Sequence, residues 1–162
     1  MKIKLLSEAL TVQQKILEEL LDLLERETRY LADVNVEAIV EINSKKEEAV
    51  ARIQSHTASL RQVIGEAALS LGLSFDISLG DLAANLGQQG NRDVILQHEQ
   101  LNKLAEHVRQ VASMNYDIAE RFAASVTSSL ELLTRVINQS NIYGAGGYQQ
   151  RPAGAVLINR EA

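Results

Sequence analysis

The chain has no cysteine and no tryptophan, and its single proline, Pro152, lies outside the stretches of helical pattern. The lack of cysteine excludes disulfides, thiolate zinc sites and cysteine nucleophiles, and it is typical of a reducing compartment. Polar residues from Glu8 onward interrupt any apolar core of a signal peptide, and no stretch approaches the roughly 20 apolar residues of a membrane span. We therefore predict a cytoplasmic protein without membrane insertion.

An excess of positive charge is also absent, since 21 acidic residues stand against 16 basic ones and the formal net charge is −5. Binding to nucleic acid needs a concentrated basic face, so we predict no nucleic-acid partner. Hydrophobic residues make up 46% of the 162 residues, which is enough for one domain with a core.

Motifs for catalysis or metal binding are missing as well. The three histidines never pair at a spacing of three or four residues, and no His-Glu-x-x-His occurs. The hydroxyl cluster from Ser125 to Ser129 has no histidine nearby to act as a base, so structural packing is its better interpretation. We predict no cofactor, no metal site and no enzymatic activity.

Helical periodicity dominates what is present. From Leu5 to about Leu31 the apolar residues form two adjacent rows, which predicts a helix with more than one neighbour. Its charged residues, Glu27 among them, are expected on a solvated face. Asp33 and Asn35 are good N-cap residues for a second helix that ends near Leu71. The apolar seam of that helix alternates steps of three and four residues: Val36, Ile39, Asn43, Lys46, Val50, Ile53, Thr57, Leu60, Ile64, Ala67 and Leu71.

Residues 72–91 are rich in glycine and predict a connector with one short helix capped by Ser78. The last helix has an apolar stripe from Val94 to Ile137 and would be about 65 Å long, longer than a small globular core. It must therefore lie against other long helices or present part of its stripe to another protein.

These elements predict an all-α fold, an elongated antiparallel bundle of three long coiled-coil-like helices with a short connector helix. We assign residues 1–142 to a single helical domain. Glycines and Pro152 make a persistent fold of residues 143–162 improbable, so we predict a flexible C-terminal tail.

Asn115 is the most informative polar residue, because it falls on the apolar stripe between Val111 and Ile118. A buried asparagine costs stability unless its amide is paired, and in helix seams it fixes register or partner choice. Lys46 and Asn43 are candidates to meet it in a polar layer, although a lysine can also extend to solvent. The alternative is a rotated helix in which Asn115 faces water.

Tyr143 is a tyrosine on a glycine-rich tail, a large rigid group of the kind enriched at binding hot spots. The alternative is that it folds back onto the end of the last helix.

Taken together, these features resemble the FlgN family of flagellar type III export chaperones. Beside the leucine-rich first helix, the resemblance rests on the Asp-then-Leu-x-x-Leu-x-x-x-Lys arrangement of Asp33, Ile39, Ile42 and Lys46, on Asn115, and on the Tyr-Gly-x-x-Gly signature of Tyr143, Gly144 and Gly147. One departure is Gly146, which stands where relatives often carry an acidic residue.

The resemblance implies a cytoplasmic chaperone that binds the C-terminal helical region of hook-associated proteins, prevents their premature assembly and delivers them to the flagellar export gate. It implies contact of Tyr143, Gly144 and Gly147 with the cytoplasmic domain of the membrane protein of that gate, and the export ATPase complex is a further candidate partner. The client-binding residues are placed by position and apolarity alone: Val108, Val111, Asn115, Ile118, Phe122, Val126, Leu130 and Leu133.

A second hypothesis is a structural coiled-coil protein whose apolar stripe is covered by self-association.

Overall fold

The computed structural model describes residues 2–142, and their side chains as far as Ile137. Four helices lie in that range: α1 (Lys2–Ala32), α2 (Val36–Ser70), α3 (Leu79–Gln88) and α4 (Arg92–Ile142). The prediction of an all-α fold with three long helices and a short connector helix is confirmed. The predicted tail lies outside the described residues.

The chain divides into two compact units, Met1–Arg121 and Phe122–Ala162, so that the division falls within α4. The predicted boundary after residue 142 lies at the edge of the described residues and stays a prediction.

Capping residues set two of the helix starts. The side chain of Asn35 accepts a hydrogen bond from the backbone N–H of Ala38, and that of Ser78 accepts one from Asp81, both at 3.1 Å. Each bond satisfies an N–H that has no partner within its own helix. The N-cap predicted at Ser78 is therefore confirmed, and of the two candidates for α2, Asp33 and Asn35, the N-cap is Asn35.

In the first unit α1 and α2 are antiparallel. Lys2 near the start of α1 pairs with Glu66 near the end of α2, and Glu27 late in α1 pairs with Lys46 early in α2, each at 2.5 Å. The tight turn between them passes through Val34, which has a positive φ of 53°.

In the same unit α1 and α4 are parallel. The Ser7 hydroxyl donates to Gln97 at 3.0 Å and the Thr28 hydroxyl donates to Asn115 at 2.6 Å, across sequence separations of 90 and 87 residues. A nearly constant separation means that the two chains advance in the same direction. The end of α2 and the start of α4 therefore both lie near the start of α1, and the connector with α3 joins them across that end of the unit.

Two buried clusters make the core of the first unit. The larger joins the starts of α1 and α4 to the end of α2 and to α3: Leu6, Leu10, Leu60, Ala67, Ala68, Leu82, Ala83, Leu86, Val94 and Leu101. The smaller is built on Leu20, Leu24 and Ala49, with Leu23, Ile53, Val108, Val111 and Ala112 packed against it. The first stretch of α4 is thus held by the chain's own helices.

The seam of α2 has the predicted period but is displaced by one residue in its first half. Ile42 and Ala49 are buried, whereas Asn43 and Val50, which were predicted on the seam, are exposed. Both rows alternate steps of three and four, so the period alone does not distinguish them. The small side chain of Ala49 lets two leucines of α1 approach closely, and this packing decides the register.

Candidate functional site

The eight predicted client-binding residues lie in two different environments. Val108 and Val111 pack against the smaller core cluster, Asn115 is only 3% exposed, and Ile118 is half-buried. These four are occupied by contacts within the first unit. The remaining four are exposed and belong to the second unit: Phe122, Val126, Leu130 and Leu133.

Asn115 occupies the centre of a polar layer in the first unit. Its side-chain amide donates to the Leu24 carbonyl at 2.8 Å and to the Glu27 carboxylate at 2.9 Å, and its carbonyl accepts from Thr28 at 2.6 Å. Two donors and one acceptor are therefore satisfied, which is the condition for burying an amide without a large penalty. The interpretation that Asn115 faces water is wrong.

The third member of the layer is Lys46 of α2, whose ammonium lies 2.5 Å from the other oxygen of the Glu27 carboxylate. Glu27 is 7% exposed. Because its carboxylate bonds to Lys46 of α2 and to Asn115 of α4, this residue of α1 connects all three long helices. Lys46 lies in the predicted polar layer, whereas Asn43 is exposed and takes no part in it. Among the described residues, no buried side-chain N or O lacks a hydrogen-bond partner.

The prediction that Glu27 lies on the solvated face of α1 is wrong, because this residue is buried in the polar layer. The buried row of α1 includes Leu20 and Leu24, and a further step of three reaches Glu27. That spacing was the available signal, but a carboxylate on an apolar row usually marks its edge. Only the two donors supplied by α2 and α4 make its burial favourable.

In the second unit α4 carries a large exposed apolar face, which we name the distal apolar surface. Its members share exposures between 41% and 58%: Phe122, Val126, Leu130, Leu132, Leu133 and Val136. Leu132 and Val136 were not among the predicted residues, although they lie next to the predicted row. Single exposed apolar residues are ordinary, but a contiguous group of six within fifteen residues is typical of a binding site.

Three of the hydroxyl groups beside this surface are satisfied within the helix itself. Thr127, Ser129 and Thr134 each donate to the carbonyl four residues earlier, at 3.0, 2.9 and 2.9 Å. A partner covering these hydroxyls would not have to supply acceptors for them, because their hydrogens are already donated. The face is therefore more apolar in effect than its composition suggests.

Charged residues are few and lie to one side. Between Phe122 and Val136 only Glu131 and Arg135 carry charge. At about 100° per residue they fall roughly opposite to Phe122 and Leu133 on the helix. One side of the segment is thus apolar and the other is solvated.

The geometry of the first unit shows where its own helices stop covering α4. With α1 parallel to α4 at a separation near 88 residues, the end of α1 at Ala32 lies level with about residue 120. The turn into α2 occupies the next positions. The last seam residue held in this unit is therefore Ile118.

Within the described residues, no group of three or more His, Asp or Glu is arranged to hold a metal ion. No helix in the same part of the chain is both long and apolar enough to cross a membrane.

A comparison with known protein families matches residues 1–151 to the FlgN protein family. The chain belongs to the FlgN family. FlgN proteins are flagellar export chaperones that bind flagellar proteins, and chaperoning rather than catalysis is the activity associated with them. A search of curated proteins and a search of solved structures each found no match to the chain.

Three residues predicted to contact the export gate, Tyr143, Gly144 and Gly147, lie outside the described residues. The FlgN match extends over them, to residue 151.

Proposed function

We propose that this FlgN-family chain is a cytoplasmic type III export chaperone whose clients are hook-associated proteins. It binds their C-terminal helical region on the distal apolar surface, prevents premature assembly and delivers them to the flagellar export gate. The exposure of six large apolar side chains along one helix is the observation that carries this proposal.

The chemistry of that surface favours an amphipathic helix as the bound element. This apolar face offers side-chain packing, and the hydroxyls of Thr127, Ser129 and Thr134 already donate within their own helix. A client helix would lay its own apolar stripe along it, in a helix-in-groove contact of the coiled-coil kind. While bound, that stripe is unavailable to other copies of the client.

The polar layer has a different role in the proposal. It holds α1, α2 and the first stretch of α4 in a single arrangement, because Glu27, Lys46 and Asn115 satisfy one another only in that arrangement. Of the eight residues first proposed for client binding, we retain Phe122, Val126, Leu130 and Leu133 as client contacts.

Delivery to the gate is assigned to Tyr143, Gly144 and Gly147, with the cytoplasmic domain of the gate's membrane protein as partner. The proposal rests on the FlgN match, which includes these residues. A second contact beside the client site would raise the effective concentration of the complex at the gate. The export ATPase complex remains a further candidate partner.

The client proposal is tested by co-expression with each hook-associated protein of the same organism. Leu133→Glu should abolish the co-purified complex, since it places a charge in the apolar contact. The matched control is Ala124→Glu, which adds the same charge to the same helix on the side of Glu131. Equal loss with both variants, or no complex with any client, would refute the proposal.

Sedimentation equilibrium of the free chain separates this function from the structural coiled coil. A tight oligomer that loses its stability in Leu133→Glu would favour self-association as the purpose of the surface.

For the gate, Tyr143→Ala should leave client binding intact and weaken binding of the client complex to the cytoplasmic domain of the gate protein. Loss of client binding in this variant would show that the two roles are not separate.

A further inference from the structure

The apolar pattern of α4 contains two seams, and only one of them runs its full length. The first seam advances in unbroken steps of three and four: Val94, Gln97, Leu101, Leu104, Val108, Val111, Asn115, Ile118, Phe122, Ser125, Ser129, Leu132 and Val136. In the first unit this seam is the one that α1 and α2 cover. Beyond Arg121 it continues in the same heptad register.

The second seam lies one residue further along and holds large apolar residues at successive positions only in the second unit. Its members there are Ala123, Val126, Leu130 and Leu133. The same heptad positions earlier in α4 hold Asn102, Arg109 and Tyr116, alternating with alanines, and these three large residues are exposed. The change from one seam to two coincides with the boundary between the units.

The molecule itself shows what two adjacent seams are used for. The apolar residues of α1 form two rows offset by one residue, and α1 packs against two helices, α2 and α4. Its contacts with them lie on different sides, as the Lys2–Glu66 and Ser7–Gln97 pairs illustrate. A single seam accepts one groove or one helix, whereas two offset seams form an apolar arc wide enough for two neighbours.

In the second unit the two seams are about 100° apart at 100° per residue, and large apolar residues on both are exposed. The first seam is narrow at Ser125 and Ser129, which permits a close helix approach, whereas the second is lined by Val126, Leu130 and Leu133. Their different shapes indicate two different helices rather than one helix in two registers.

We propose that the client of this chaperone contributes two amphipathic helices, one to each seam of the second unit. The inference rests on the proposed function, because it describes how the same client is held. A client with a single terminal helix would leave Leu132 and Val136, or Leu130 and Leu133, in water. The bound state is thus a three-helix arrangement in which α4 supplies one helix and the client supplies two.

Three consecutive small residues allow a direct test, because the chain has no cysteine of its own. Ser125→Cys labels the first seam, Ala123→Cys the second, and Ala124→Cys the charged side between Glu131 and Arg135. Each variant is coupled to a benzophenone, bound to a full-length hook-associated protein, irradiated and mapped by mass spectrometry. We expect Ser125 and Ala123 to cross-link to two different helices of the client, with little cross-linking from Ala124.

Cross-links from both seams to one client helix would overturn this inference and leave the proposed function standing. Cross-links from either seam to a second copy of the chain would overturn it in favour of self-association. Failure of the labelled and unlabelled chains to bind any client would instead refute the proposed function.

Binding measurements give a second readout. Leu130→Glu and Leu132→Glu alter one seam each, and each should weaken client binding tenfold or more, while Ala124→Glu changes it less than about twofold. If only one of the two leucine variants weakens binding, the client uses a single seam and the inference fails.

Discussion

The two parts of α4 have the same period and opposite surroundings. As far as Ile118 its seam packs against α1 and α2 and includes a buried asparagine whose amide is fully paired. From Phe122 to Val136 the large apolar residues are exposed, and the hydroxyls of Thr127, Ser129 and Thr134 donate to their own helix. The difference shows that periodicity specifies a surface that needs a partner, while polar residues within the seam specify which partner.

The buried seam illustrates the second part of that statement. A seam of leucines and valines alone could be packed in several registers, because each step of three or four residues offers a similar surface. Asn115 excludes the others, since its donors find acceptors only where Leu24 and Glu27 lie. In the second unit the hydroxyls of Thr127, Ser129 and Thr134 donate to carbonyls of their own helix, and this suits a surface whose partner comes from another chain.

The largest effect that separates the two units is expected from matched leucine truncations. Leu10 in α1 is 1% exposed and Leu130 is 54% exposed. Leu10→Ala should lower the free energy of unfolding by about 2–5 kcal/mol, because it leaves a cavity in the larger core cluster. Leu130→Ala should change it by less than about 0.5 kcal/mol, as usual for surface positions. Urea denaturation followed by circular dichroism measures both.

Both substitutions replace leucine by alanine within a helix, so the helix propensity changes equally. A cost for Leu130→Ala comparable to that for Leu10→Ala would mean that the distal apolar surface is covered in the free protein, and the comparison would fail.

The next largest effect is expected at the polar layer. Glu27→Leu removes the acceptor of Lys46 and of one Asn115 donor, so it should lower the free energy of unfolding by about 2–4 kcal/mol. The side chain of Lys46 is 21% exposed and can partly reach water, which keeps the loss below that of a fully buried pair. The midpoint of urea unfolding reports the change.

Replacing the three charged and amide members together gives the contrasting result. With Glu27, Lys46 and Asn115 all changed to leucine, no unpaired polar side chain is left, and stability should recover to that of the original chain or exceed it. The cost should appear as lost uniqueness, seen as broadened amide signals in the NMR spectrum of the first unit. If the triple variant stays as unstable as Glu27→Leu, the layer contributes stability rather than specificity.

The sequence predicts those parts of the fold that depend on short-range interactions. Asn35 and Ser78 bond to N–H groups three residues away, so their capping role is visible without tertiary structure. The lengths of the helices follow for the same reason. The register of α2 does not, because Ile42 and Asn43 begin two rows of equal period, and the choice depends on packing around Ala49.

The residues of the candidate site could likewise be predicted only where the signal is local in sequence. Asn115 is predictable because it interrupts an apolar row, but Glu27 becomes a buried residue only when α2 and α4 bring two donors to it. The apolar stripe of α4 also does not reveal the residue at which α1 and α2 stop packing against it. That point is set by the length of α1 and by its register on α4, both of which are properties of the assembled first unit.

A smaller effect, with the opposite sign, is expected at the turn between α1 and α2. Val34 has φ of 53°, a left-handed conformation that costs a residue with a Cβ about 1–2 kcal/mol, and a β-branched side chain tolerates it poorly. Val34→Gly relieves this strain but adds chain entropy, for a net gain in stability of about 0.5–1 kcal/mol. Val36→Gly within the first turn of α2 is the control and should destabilise. A lower urea midpoint for Val34→Gly would show that the exposed valine contributes packing that outweighs the strain.

The smallest effect is expected at the ion pair that joins the start of α1 to the end of α2. The Lys2 ammonium, with help from the Gln62 amide, hydrogen-bonds the Glu66 carboxylate and lowers its pKa from the ordinary 4.5. Because the folded-state pKa is depressed, the pair stabilises the protein above pH 4.5, and this contribution disappears as the pH falls through the lowered value. Both side chains are exposed, so solvent screens the pair, and Glu66→Gln should reduce the urea midpoint at pH 7 only slightly. The difference between the variant and the original chain should shrink as the pH falls below 4.5 and vanish once Glu66 is protonated. A difference that persists with Glu66 protonated would mean that Glu66 acts through packing rather than charge.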